Sequence, residues 1–156
     1  MLRGNNKRRL FSYPADYRRF LGYLERALTS HRLPLHALVL MANHMHLLVT
    51  PPTVEALSGF VKRFAHPYAL YRNRRRGGTG KLFEERYKAI PVTDEIYLAT
   101  LTTYIELNPV RAGYVEEPFA YPWSTYALQV GVDGSAIPRR LWAPSDWYLA
   151  LGNNRA

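Results

Sequence analysis

The sequence predicts an α+β domain with a ferredoxin-like antiparallel sheet and helices packed on one face. Three observations lead there. An amphipathic helical segment over residues 14–30 is followed by two short apolar runs, 35–41 and 44–50, separated only by Ala42-Asn43. A second helical segment and an extended stretch over 82–92 come next, and a third helical segment starts at Asp94. Helix, hairpin, helix, strand, helix is an order in which a small antiparallel sheet covers one face with helices, provided one more strand precedes the first helix. With 156 residues, the chain has the size of one domain with a real core.

Each element has a local reason. In the first helix Tyr17, Phe20, Leu21, Leu24 and Leu28 recur at steps of three and four, with Arg18, Arg19, Glu25 and Arg26 between them. Pro34 closes the connection to the first hairpin strand, and Pro51-Pro52 ends the second, because proline donates no ladder hydrogen bond. Thr53 is the expected N-cap of the next helix, which carries Leu57, Phe60, Val61 and Phe64; Pro67 is expected to kink or split it before 68–75. Gly77-Gly78-Thr79-Gly80 reads as a flexible loop, and 82–92 as a strand with Arg86 and Lys88 facing outward. Asp94 caps a helix through Tyr97, Leu98, Leu101, Tyr104 and Ile105. Beyond Gly113 the chain is rich in Pro and Trp, and no regular element is assigned there.

Composition narrows the function classes. There is no cysteine, which excludes disulfides, thiolate metal sites and a cysteine nucleophile, and fits a reducing cytoplasm. Residues 1–9 are polar and basic with no signal-peptide core, and no apolar run approaches the roughly 20 residues that span a bilayer. A soluble cytoplasmic protein with no membrane partner is expected. The net charge is +9 and uneven: residues 1–32 and 62–88 hold 17 of the 21 Lys and Arg but 4 of the 12 Asp and Glu. Those stretches sum to +13 and the remainder to −4. Clustered Lys and Arg are rewarded by phosphates through counterion release, so nucleic acid is the leading partner class.

Two groups of residues carry chemistry. On a strand, residues i and i+2 share a face, so His44 and His46 project together while Met45, Leu47 and Val49 face the other way. Two imidazoles fixed by a sheet can chelate a divalent ion; the same alternation also arises in any half-buried strand, and spacing alone leaves both readings open. In the third helix Tyr104 and Asn108 are four apart and share a face. A tyrosine nucleophile needs activation, and Asn108 has a carbonyl oxygen to offer an ion. Asn108-Pro109, closed by Gly113, equally fits an N-cap with proline at N1.

Five blocks in register decide between these readings. "RGNN" at 3–6, "LHALVLMANHMHLLVTP" at 35–51, "GKLFEERYKAIPV" at 80–92, "YIELNPVRAGYV" at 104–115 and "YPWSTY" at 121–126 resemble the single-tyrosine HUH transposases of the IS200 type, and within them the REP-associated tyrosine transposases. The resemblance implies a catalytic domain over residues 1–126, with 127–156 an extension of unassigned structure. It implies that His44 and His46 are metal ligands, that Asn108 sits where relatives place a further amide ligand, and that Tyr104 is the nucleophile. The implied ion is Mg²⁺ or Mn²⁺, and the implied substrate is single-stranded DNA near hairpins of palindromic repeats. Cleavage would leave a 5′-phosphotyrosine and a free 3′-hydroxyl, in a monomer or a homodimer.

The basic stretches then have an expected role. Arg72, Arg74, Arg75, Arg76 and Lys81 would clamp a hairpin backbone, with Arg86 and Lys88 on the following strand. Arg3, Lys7, Arg8 and Arg9 would reach a groove or a flanking guide sequence. Trp123 and Tyr126 are candidates for base stacking, with core packing the alternative for Trp123. A second function class shares these features: a catalytically silent protein that binds DNA or RNA hairpins.

Two departures from the family pattern matter. Ala42 stands where the family has proline, which implies a slightly looser hairpin. The family also carries a strand before its Arg-Gly-Asn-Asn stretch, and only Met1 and Leu2 precede Arg3 here. That strand would lie beside the histidine strand, so the expectation is a shortened first strand, from a start lying upstream or from a shortened and inactive copy.

Overall fold

The computed structural model describes residues 1–84 and 86–153, the last three of them by backbone alone. The chain forms two compact units whose sequences interleave. The first holds Met1–Leu33, Leu40–His46 and Thr50–Ala89; the second holds Pro34–Val39, Leu47–Val49 and Ile90–Ala156.

The sheet has three strands: β1 (Leu2–Arg3), β2 (Leu35–Leu40) and β3 (His44–Val49), in the order β1-β3-β2. β1 runs antiparallel to β3, with Leu2 opposite Met45 and Arg3 opposite His44. The histidine strand is therefore central, and its expected neighbour is present as a two-residue strand. This is the strand order of a ferredoxin-like sheet, and the α+β expectation holds.

The expected strand over 82–92 is not one. Leaving aside Glu85, which lies outside the described residues, the segment makes a single bridge, Gly4 to Phe83. Backbone bonds from Asn5 N to Leu82 O (2.9 Å) and from Glu84 N to Arg3 O (2.9 Å) tie it to β1. Of the described residues in this segment only Leu82 is buried, and Ile90 is 66% exposed, so there is no apolar face to pleat around. Pro91 also removes a ladder donor.

In the first unit, α1 (Pro14–His31) opens on proline at its first position, where no intrahelical donor is needed. Asp16 reaches back to accept from Ser12 N (2.8 Å) and Tyr13 N (3.1 Å), satisfying amides just ahead of the helix. The helix ends at Arg32 in the left-handed region. In α2 (Val54–Arg76), Thr53 Oγ1 accepts from Ala56 N, as expected of an N-cap. Phe60, Phe64, Tyr68 and Arg72, every fourth residue, form its buried stripe.

α1 and α2 pack through aromatic edges: Phe20 meets Phe64 at 5.4 Å and Tyr68 at 5.1 Å between ring centres. Each such pair adds about 0.5–1.5 kcal/mol beyond area burial. That packing explains why Pro67 does not split the helix. The break costs about 3 kcal/mol, while each large buried side chain flanking it contributes roughly 1.5–3 kcal/mol.

The hairpin turn is buried rather than loose. Ala42 O accepts from Leu10 N (2.7 Å) and Phe11 N (3.1 Å), and Asn43 O accepts from Gly4 N (2.8 Å). Gly4 is required there, since a Cβ would lie 2.0 Å from Arg8 O.

In the second unit, α3 (Glu95–Glu106) starts at Asp94, whose Oδ1 accepts from Tyr97 N at 2.7 Å. α4 (Asn108–Arg111) follows across Leu107, which keeps helical dihedrals. Residues 121–125 meet β2 through paired Thr125 and Leu38 backbone and hydroxyl bonds and a bridge from Val39 to Ser124. The sequence assigns no element beyond Gly113, yet α5 (Tyr126–Val130), a tight turn at Arg139–Leu141 and α6 (Asp146–Asn153) form there. Trp142 Nε1 donates to His36 O (2.8 Å), and Ala143 N to Leu35 O (2.8 Å), so residues past 127 are bonded to β2. No described helix is long and apolar enough to cross a membrane.

Candidate active site

β3 carries the histidine pair. Met45 is fully buried, while His44 and His46 on the opposite side are half-buried. The imidazole ring centres are 5.3 Å apart with planes at 84°, so the nitrogens approach from two directions. Further along, the alternation weakens: Leu48, on the histidine side, is buried and Leu47 and Val49 are only half-buried.

His44 is held in one tautomer. Its Nδ1 lies 2.8 Å from Asn43 Oδ1. An amide oxygen only accepts, so Nδ1 carries the proton and Nε2 keeps its lone pair. A partner of this kind orients metal-binding histidines. Burial, then His44 beside it, pushes the His46 imidazole down to about 4, which leaves it uncharged near neutrality. An uncharged His46 and a His44 ring oriented by Asn43, on one side of a central strand, fit a divalent ion. No trio of His, Cys, Asp or Glu converges among the described residues. Arg3, paired across from His44, adds an exposed cation to the same neighbourhood.

A second group of candidate residues belongs to the second unit. Tyr104, in the last turn of α3, is 43% exposed, and the Arg111 guanidinium stands 5.1 Å from the centre of its ring. Asn108 is inside the helical run rather than an N-cap: its Nδ2 donates to Tyr104 O at 2.7 Å. That leaves Oδ1 as the end a cation would take. Gly113, at φ +68°, terminates α4.

Behind this face Glu106 is buried with Thr125, whose hydroxyl lies 3.5 Å from Oε1. The Gln129 amide, oriented to satisfy both groups, donates to Oε1 at 2.5 Å. Burial pushes the Glu106 carboxyl up to about 8, with Thr125 opposing. His44 and His46 belong to the first unit, Tyr104 and Asn108 to the second.

Most of the expected DNA-contacting cations are exposed: Lys7, Arg8 and Arg9 in the loop after β1, Arg74, Arg75 and Arg76 at the end of α2, and Lys81, Arg86 and Lys88 beyond it. Arg72 is a correction. It is 1% exposed, its Nη1 lies 2.6 Å from Asp16 Oδ2, and Nη2 faces Ser12 Oγ at 3.2 Å. It cannot reach a phosphate because its place on the buried stripe of α2 turns it inward. Trp123 and Tyr126 are both half-buried.

Asn43 and Arg111 are contributors that spacing did not single out. Asn43 could have been found as a polar residue adjoining the histidine pair, and Arg111 as the residue two helical turns beyond Tyr104.

Three comparisons with known proteins bear on this arrangement. The family described as "Transposase IS200 like" matches residues 1–108, a span that includes both histidines, Tyr104 and Asn108. Among solved structures, a REP-associated tyrosine transposase bound to a REP hairpin is similar, with a TM-score of 0.70 and 19% identity, over 92% of this chain and 82% of that one. No curated protein matches the chain significantly.

Proposed function

Since the chain belongs to the IS200-like transposases, we propose that it cleaves and rejoins single-stranded DNA beside hairpins through a covalent tyrosine intermediate. The observation that carries the reading is the histidine pair on β3, with one tautomer fixed by Asn43 and the other ring kept neutral. The relative bound to a REP hairpin supports hairpin DNA as the substrate class.

In this reading His44 and His46 hold Mg²⁺ or Mn²⁺, with Asn108 Oδ1 as a further donor of the type such ions accept. The bound ion supplies Lewis-acid polarisation of the scissile phosphate. Tyr104 Oη attacks phosphorus as its proton leaves. The bond from phosphorus to the 3′ oxygen breaks, and that oxygen takes a proton. The products are a 5′-phosphotyrosine and a free 3′-hydroxyl, and attack by a 3′-hydroxyl on the phosphotyrosine reverses the step. Arg111, with its guanidinium 5.1 Å from the centre of the Tyr104 ring, packs a cation against that ring. Arg3 and the cations at 7–9 offer contacts to phosphates flanking the histidines.

The test incubates the protein with Mn²⁺ and end-labelled single-stranded hairpin DNA, then resolves the products under denaturing conditions. A denaturant-stable adduct that disappears in Tyr104→Phe and in His46→Ala is the expected result. An adduct persisting in Tyr104→Phe overturns the nucleophile. Hairpin binding without any wild-type adduct makes the chain a hairpin-binding protein instead.

A further inference from the structure

α1 and α2 pair antiparallel, Asp16 meeting Arg72 at one end and His31 meeting Gly59 and Phe60 at the other. Near that second end the two helices enclose an open groove of about 700 Å³. Its charged walls are Arg26, Lys62 and Arg63, joined by His31 and His66, and among the described residues no carboxylate lines it.

The groove is built rather than incidental. His31 Nδ1 lies 3.0 Å from Ala27 O, which accepts its proton, and the ring edge rests against Phe60 at 6.1 Å. Its Nε2 sits where a side chain on Gly59 would begin, 3.2 Å from a Cβ placed there. A larger residue at 59 would push the ring aside. Pro67 on the rim has no backbone N–H to donate, and the groove's polar lining is the side-chain nitrogens of its cations and histidines with the Tyr23 and Ser30 hydroxyls.

A row of arginines laid on tyrosine rings continues from the groove along the same helix pair. Arg26 stands 4.9 Å from the Tyr23 ring centre, Arg19 5.6 Å from Tyr71, and Arg75 5.3 Å from Tyr13. From residue 13 to residue 26, α1 and its N-cap cover about 20 Å. Guanidinium groups standing over tyrosine rings offer aromatic and cationic surface to bases and fork-shaped donors to phosphates.

We propose that this α1–α2 face is a second nucleic-acid site, which binds an unpaired DNA strand through its phosphates and base faces. It is separate in sequence from the histidines, from Tyr104 and from the cations flanking them. Backbone charge and stacking, with no base-edge readout, make it indifferent to sequence and sensitive to salt.

The test measures fluorescence anisotropy of labelled oligo(dT), which forms no hairpin, with the full chain in EDTA over a KCl series. Chelation removes any cleavage, so the result is independent of whether Tyr104 is a nucleophile. Lys62→Gln with Arg63→Gln changes two exposed groove cations; Arg139→Gln with Arg140→Gln removes the same charge elsewhere. The groove pair is expected to weaken binding about tenfold and to flatten the log–log salt slope by about 0.7 for each lost phosphate contact. The control pair should change affinity less than about twofold, the effect of overall charge alone. A groove pair no weaker than the control overturns the proposal, as does a loss seen only on phosphatidylserine vesicles.

Discussion

Asp16 and Arg72 form an ion pair sealed inside the α1–α2 packing: Nη1 lies 2.6 Å from Oδ2, and neither side chain is more than 1% exposed. Asp16 completes its shell with the amides of Ser12 and Tyr13 and the Tyr71 hydroxyl, while only Nε of Arg72 lacks an acceptor. The pair locks the chain ahead of α1 to the last turns of α2.

Removing one partner should be expensive. Arg72→Leu takes the buried partner from a buried carboxylate and leaves it only the exposed Arg75, 3.7 Å from Oδ1; breaking a buried pair costs about 3–5 kcal/mol. Denaturant unfolding should show that loss, while hairpin affinity per folded molecule stays at the wild-type level. A variant of wild-type stability with weakened DNA binding would return Arg72 to the DNA-contacting set.

The same pair sets an acid limit. Burial alone would raise the Asp16 carboxyl, but the Ser12 and Tyr13 amides, Arg72 and the Tyr71 hydroxyl outweigh it and hold it below its ordinary range. With the folded value below the unfolded one, the stabilisation is present above the unfolded value and is lost as pH falls through the folded value. Melting temperature should therefore drop for wild type below about pH 4. In Asp16→Asn, already less stable at neutrality, that part of the drop should be missing.

Asn43 should matter to the metal without touching it. Asn43→Ala frees His44 to adopt the other tautomer, and losses of this kind typically cost about 10–100-fold in metal affinity. Mn²⁺ titration followed by water-proton relaxation reads this directly. Unchanged affinity would mean that the Asn43–His44 bond does not orient the ring for the ion.

Glu106 gives a contribution of opposite sign. Its folded carboxyl is raised to about 8, so stability is greatest at low pH and falls as pH rises from the unfolded value toward 8. Glu106→Gln keeps the shape and removes the charge. It should melt several degrees above wild type at alkaline pH and close to wild type in mild acid. Equal pH profiles for the two proteins would show that Glu106 ionises in the fold without penalty.

The helices and the histidine strand were legible because each has a dominant local cause. Tyr17, Phe20, Leu24 and Leu28 mark one helical face, Thr53 and Asp94 are ordinary N-caps, and Pro51-Pro52 ends a strand. The misses have a different origin. Pro67 looks like a break until Phe64 and Tyr68 are seen packed on either side of it. Residues 82–92 alternate enough to suggest a strand, but a strand needs a buried face that only tertiary context supplies. Arg72 is indistinguishable by composition from Arg74, Arg75 and Arg76; only its phase on α2 turns it inward, toward an aspartate 56 residues earlier. The histidine pair and Tyr104 were visible as spacing, whereas Asn43's bond and Arg111's position over the ring needed coordinates.

The interleaving of the two units bears on how the chain can be made and cut. The hairpin alternates between them, with Pro34–Val39 and Leu47–Val49 belonging to the unit that otherwise starts at Ile90. During synthesis that unit cannot close until residues near Thr125 and Ala143 have emerged to meet Leu38 and Leu35. Its first strand must wait for most of the chain, a long-range closure that slows folding. Neither unit can be excised by a single cut, and a fragment beginning at Ile90 would carry orphaned bonding partners for a strand left behind.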